Sequence, residues 1–243
     1  GWLGPLAKLM ASNERIAALA PKILSYDRPG YFEYAGASGG FLDAFGYPFC
    51  RGRILDTIEQ DDGQYDTSRD VFWASGACMM VRADVFRKLG GFDGDFFAHM
   101  EEIDFCWRAQ LAGYRIMVEP RSRVFHLGGG TLPNNSPRKL YLNYRNNLSM
   151  LYKNLSKLTL WPLLFTRMVL DGMSAFVFLM QGRRDFFKVV FRSHMDFYKI
   201  LGMLRAKRRA IQRDRTGSAA GNIYRGSIIL RHALGRRTFG RMM

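Results

Sequence analysis

The sequence predicts an α/β protein that passes into a basic helical C-terminal region, and three observations predict it. Helix and strand periodicities alternate through the first 126 residues, three long helical patterns follow Pro137, and the charge divides at the same place. Residues 1–137 hold 14 Lys/Arg against 17 Asp/Glu, whereas residues 138–243 hold 22 against 4. An acidic-to-neutral body therefore carries a strongly basic second part, and such asymmetry points to a polyanionic partner.

The elements follow in order. Apolar residues at 2, 3, 6, 9 and 10 give the opening a helical spacing, and Ile16 to Leu24 reads as a short buried strand ending near Pro21. Residues 31–70 are rich in glycine, with Gly36, Gly39, Gly40, Gly46, Gly52 and Gly63, and keep no period. A loop of that length is a lid, a binding loop or an insert, and Phe41, Phe45, Tyr47 and Phe49 favour an ordered binding loop. The apolar run Phe72 to Val81 is interrupted at Ser75-Gly76, where missing side-chain bulk lets a ligand approach the backbone. Ala83 to Leu89 forms a short helix stopped by Gly90-Gly91.

From Glu101 a helix places Ile103, Cys106, Trp107 and Leu111 on one side and Glu101, Asp104 and Arg108 on the other, ending at Gly113. Tyr114 to Val118 and Arg123 to Phe125 are strand-like, with Pro120 between them. Gly128-Gly129-Gly130 reads first as a plain turn and second as a cradle for a diphosphate.

After Pro137 the helices are expected over Lys139 to Leu155, Leu158 to Met180 and Arg183 to Ile211. Arg167 and Asp171 leave only Gly172 to Met180 of the middle one uncharged, short of the about 20 residues a membrane span needs. In the third, Phe187, Val190, Phe191, His194, Tyr198 and Leu201 share a face and Lys188, Arg192 and Lys199 another, a pattern suited to a membrane interface. The arginine-rich last 30 residues read as a mobile extension. The expected organisation is thus 1–137, 138–211 and 212–243.

Cys50, Cys78 and Cys106 form no CxxC pair, which argues against a disulfide framework and structural zinc and fits a reduced, cytoplasmic setting. A basic nucleic-acid- or membrane-binding module without catalysis is one reading of the charge. No nucleic-acid motif is present and no aromatics interleave the tail arginines, so a membrane surface is preferred to nucleic acid. The other reading is chemical. Glu101, Glu102 and Asp104 open a helix, and His126 follows 24 residues after Glu102. Acids there complement the helix dipole, but they also suit a general base.

Taken together, Trp73-Ala74-Ser75-Gly76-Ala77, Gly90-Gly91-Phe92-Asp93, Glu101 to Arg108, Gly113-Tyr114 and His126 resemble the second half of a family 2 glycosyltransferase, most nearly the bacterial rhamnosyl- and galactofuranosyl-type enzymes of surface polysaccharide synthesis. The resemblance implies a partial GT-A-like, Rossmann-related mixed sheet with flanking helices. It implies a nucleotide-sugar donor, a saccharide or lipid-linked saccharide acceptor, and a divalent ion, Mg or Mn. It gives Glu102 the role of base with Glu101 and Asp104 beside it, although the family's usual aspartate is here the longer Glu102. His126 matches a histidine near the metal. Trp73, Ser75, Gly76, Ala77, Trp107, Arg108 and Arg145 fall on the substrate side, Arg145 being equally readable as a phosphate ligand or a solvated helix arginine. The family's Asp-x-Asp and donor-binding units are expected before Gly1; Asp61-Asp62 stands in the wrong place to replace them. The expected setting is cytoplasmic, peripheral to the inner face of the plasma membrane.

Overall fold

The computed structural model describes residues 1–128 and 136–241. In chain order the elements are α1 (Leu3–Ser12), β1 (Ile16–Ser25), β2 (Gly40–Asp43), β3 (Pro48–Cys50), β4 (Arg53–Ile54), β5 (Thr57–Ile58), β6 (Arg69–Asp70), β7 (Met80–Val81), α2 (Ala83–Lys88) and α3 (Glu101–Leu111). They continue with β8 (Arg115–His126), α4 (Pro137–Asn154), α5 (Lys157–Met180), α6 (Arg184–Lys199), α7 (Leu201–Arg213), β9 (Ile223–Tyr224) and α8 (Ile228–Ala233). The α/β class is as expected. The chain folds into two compact units whose boundaries differ from the expected ones: residues 1–91, 105–128 and 216–241 form the first, and residues 92–104 join 136–215 in the second.

The first unit is built on a mixed sheet in the order β6-β8-β1-β7, with β1 and β8 parallel and β6 and β7 antiparallel to their neighbours. Strand β1 does not end at Pro21. It runs on to Ser25, and its register with β8 shifts between Pro21 and Lys22, opposite a segment holding Pro120. Proline has no N–H to give a ladder, so a bulge absorbs it while the strands continue on both sides. For the same reason the two expected strand pieces around Pro120 are one strand.

Residues 31–70 are not one loop: β6 joins the first sheet, and β2 to β5, within residues 40–58, are short strands of a second sheet ordered β5-β4-β3-β2-β9. Tight turns break its pattern below the length at which a period shows. Gly40 is required there, because a Cβ would sit 2.0 Å from the indole of Trp73. Strand β9 comes from the expected mobile extension, pairs in parallel with β2, and is followed by Ile228 and Phe239, both buried.

In the second unit α4 packs against α5, α6 and α7, and α4 together with Lys207 of α7 holds residues 92–104. One expected helix is two, α6 and α7, which meet at Ile200. Arg208 on α7 donates to the carbonyls of Tyr152 and Leu155 at 2.7 Å each, closing the C-terminal end of α4. The inward face of α6 is Phe186, Val190, Ser193 and Phe197; of the expected apolar face Val190 is buried, and Phe187, Phe191 and Tyr198 are exposed. Helix α5 is, by length and composition, long and apolar enough to cross a membrane, and Arg167 and Asp171 within it pair with each other.

Candidate active site

Helix α3 starts from a backbone that few residues tolerate. Phe97, His99 and Met100 all have positive φ, at 62°, 66° and 74°. Side chains other than glycine rarely adopt this region, so the surroundings must hold it. They do so through α4: Asn146, 1% exposed, directs its amide nitrogen at the carbonyls of Phe96, Ala98 and His99, at 2.9, 2.9 and 2.8 Å. Arg145 donates to Asn146 Oδ1 and to the carbonyl of Asp95, so its guanidinium is spent on scaffolding.

The tightly held loop delivers Glu101 and Glu102 half-buried. One oxygen of each, Oε2, is out of solvent and lacks a hydrogen-bond partner, as does His99 Nε2. Burial raises the Glu102 carboxyl to about 7, and the neighbouring Glu101 carboxylate adds to the shift. Backbone N–H groups of Glu102, Ile103 and Met100 oppose it. Burial also raises Glu101 and lowers His99, the latter with help from Lys139. A carboxyl that titrates near neutrality and keeps a bare oxygen is chemically suited to accept a proton.

Asp104, one turn on, is different. It is wholly buried and takes Lys153 Nζ at 3.0 Å and Asn154 Nδ2 at 2.8 Å. Lys153 also reaches Asp93 at 2.6 Å, and Lys207 reaches Asp93 at 2.5 Å. Burial alone would raise Asp93, but hydrogen bonds from Lys153 and Lys207 outweigh it and hold the carboxyl at about 2. On the polar side of α3, Asp104 and Arg108 are therefore buried, and Glu101 half-buried. Asp104 serves structure, and Arg108 donates to the carbonyls of Leu89 and Gly91 at 2.6 and 2.7 Å.

The remaining expected positions lie in the first unit. Trp73 is 4% exposed, with Nε1 donating to the Phe41 carbonyl at 3.0 Å, and Trp107 is 4% exposed, edge-on to Phe72. Both indoles are core, not ligand platforms. Buried Ser75 donates to the Ala35 carbonyl and accepts from the Ala77 N–H at 3.1 Å, which leaves Gly76-Ala77 as the exposed part of that turn.

His126 ends β8 half-buried, with Nδ1 3.4 Å from Glu33 Oε2. That pair offers one nitrogen and one carboxylate, and among the described residues no group of three His, Cys, Asp or Glu could hold a metal ion. Two donors fall short of a ligand set for a divalent ion. Gly129 and Gly130, of the expected glycine turn, lie outside the described residues. Asp61 is no metal ligand either, because both of its oxygens accept from buried Lys22, at 2.7 and 2.8 Å.

Sequence reading missed Asn146, Glu33, His99 and Lys153. Asn146 left a trace in Asn143-Tyr144-Arg145-Asn146-Asn147, since amides inside a helix disfavour it and need another reason to be there. Glu33 left none.

The mixed sheets and flanking helices define an α/β fold class. Residues 49–180, more than half of the chain, match glycosyl transferase family group 2, and the chain belongs to that family. It is 30% identical over 115 residues to N-acetylglucosaminyl-diphospho-decaprenol L-rhamnosyltransferase of Mycobacterium tuberculosis, covering 46% of this chain and 38% of that protein. It is 39% identical over 85 residues to rhamnosyltransferase WbbL of Escherichia coli K12, covering 35% and 31%. The chain thus spans well under half the length of these relatives. Among solved structures, GalNAc-T7 with UDP, GalNAc and Mn2+ is similar at a TM-score of 0.43 and 14% identity, over 63% of this chain and 29% of that one.

Proposed function

We propose that this chain is part of an inverting, nucleotide-sugar-dependent glycosyltransferase of GT-A type that adds a sugar such as rhamnose to a saccharide or lipid-linked saccharide in polysaccharide synthesis. It works at the inner face of the membrane, and Glu102 is its base. The observation that carries the reading is the half-buried Glu102 carboxyl, raised to about 7, with Oε2 out of solvent and unpartnered. In the reaction the acceptor hydroxyl gives its proton to Glu102 as its oxygen bonds to the anomeric carbon. The bond from that carbon to the nucleoside diphosphate breaks, and the diphosphate leaves with the electron pair.

Glu102 must be ionised to act, so transfer is expected to rise with pH through about 7. Glu101 keeps that threshold high, and Asp104 with Lys153 anchors the helix that presents both. The rhamnosyl-type relatives favour this reading over a basic binding module without catalysis. The test is Glu102→Gln in the full-length protein, assayed with labelled nucleotide-sugar. Transfer is expected to fall about 10²–10⁴-fold while donor binding persists. Transfer at the unmodified rate in that variant would remove Glu102 as base.

A further inference from the structure

The outer faces of α5 and α6 carry an unusual load. Along α5, Leu158 (88% exposed), Trp161, Phe165, Val169, Met173, Phe176 and Met180 recur every three or four residues and are all open to solvent. The stripe runs the length of a 24-residue helix, ~36 Å. On α6, Phe187, Phe191, Met195 and Tyr198 form a second exposed apolar stripe, flanked by exposed Lys188, Arg192 and Lys199. Soluble surfaces rarely leave so continuous an apolar strip uncovered.

The occupant is set by two facts. The first is charge: residues 136–215 hold 17 Lys/Arg against four Asp. The second is how the two helices run. Phe178 meets Phe186 at 5.4 Å between ring centroids, Asp171 meets His194 at 3.2 Å, and Met168 meets Tyr198 at 3.1 Å. Positions descend on α5 as they ascend on α6, so the helices form an antiparallel hairpin. Were α5 to cross a bilayer, α6 would be drawn in beside it, with Lys188, Arg192 and Lys199 in hydrocarbon. Arg167 stays satisfied by Asp171 Oδ1 at 2.8 Å and Asn147 Oδ1 at 2.7 Å, so its charge is met inside the protein and needs no lipid phosphate.

We infer that the α5–α6 hairpin is a lipid-docking surface that lies in the interface of an anionic bilayer without spanning it, its aromatic and aliphatic stripes dipping below the headgroups and its lysines and arginines pairing with lipid phosphates. The inference rests on the membrane-facing reading above and adds the surface and the mode.

The experiment is flotation of the full chain with vesicles of phosphatidylcholine alone or with 30% phosphatidylglycerol, followed by alkaline carbonate extraction. Binding is expected only to the anionic vesicles and to be released by carbonate. Trp161→Glu with Phe165→Glu is expected to abolish it. Lys188→Glu, Arg192→Glu and Lys199→Glu together are expected to weaken it roughly a hundredfold. These substitutions sit on exposed faces, so circular dichroism should report an intact fold. Retained flotation in the Trp161/Phe165 variant overturns the surface and leaves the membrane setting standing, whereas no flotation of the unmodified chain overturns both. Carbonate resistance overturns the interfacial mode in favour of a span. A stable dimer that ignores vesicles and dissociates in the Trp161/Phe165 variant makes a second copy the occupant.

Discussion

Glu102 and Asp104 sit two residues apart on α3, and the protein treats them in opposite ways. Asp104 is buried among donors, with Lys153 and Asn154 on its oxygens, so its charge is held as structure. Glu102 is half-buried, with one oxygen out of solvent and bare beside a second carboxylate, so its charge is made unwelcome and its proton affinity rises. Burial alone decides nothing about a carboxyl's role. What decides is whether the burial comes with partners.

The contrast can be broken most forcefully at Asp104. Asp104→Ala leaves Lys153 with Asp93 as its one carboxylate and Asn154 with the Met150 carbonyl, and is expected to destabilise the fold by about 3 kcal/mol, read by urea unfolding. Unchanged stability would show that the paired side of the comparison is ornamental. Glu102→Gln should do the reverse. A carboxyl raised from 4.5 to about 7 on folding makes the folded state bind more protons between those values, so stability is lost as pH rises through that window. Removing the charge should return on the order of 1–2 kcal/mol at pH 8 and nothing at pH 4, and equal thermal shifts at the two pH values would contradict the unpaired burial. The smallest effect belongs to Glu101→Gln, which takes away the neighbouring charge. It should move the Glu102 carboxyl titration, followed by ¹³C NMR, to lower pH. A titration that stays put would assign the whole shift to burial.

Much of the scaffold was readable because it rests on local chemistry. Gly90-Gly91 ends α2 and Gly113 follows α3 with positive φ, as glycines after helices do, and α1, α4 and α5 fall within a few residues of their expected limits. The carboxylates at the start of α3 and the distant His126 were legible as candidates. Their roles were not, since nothing near Asp104 in the chain announces Lys153, which arrives from 49 residues away. The short strands between residues 40 and 58 escaped notice because two to four residues cannot show a period. The basic tail misled because its anchors, Ile228 and Phe239, are few among many arginines.

By itself the sequence determined where α1 to α5 begin and end to within a few residues, which half is basic, and the order of motifs that marks the family, since each depends on residues adjacent along the chain. Only the tertiary structure decided which carboxylate is salt-bridged and which keeps one oxygen bare, that Trp73 and Trp107 are core, that residues 92–104 fold with the helical unit, and that the basic tail is anchored. Those outcomes depend on side chains brought together from dozens of residues apart, and a carboxyl's proton affinity is a property of that company.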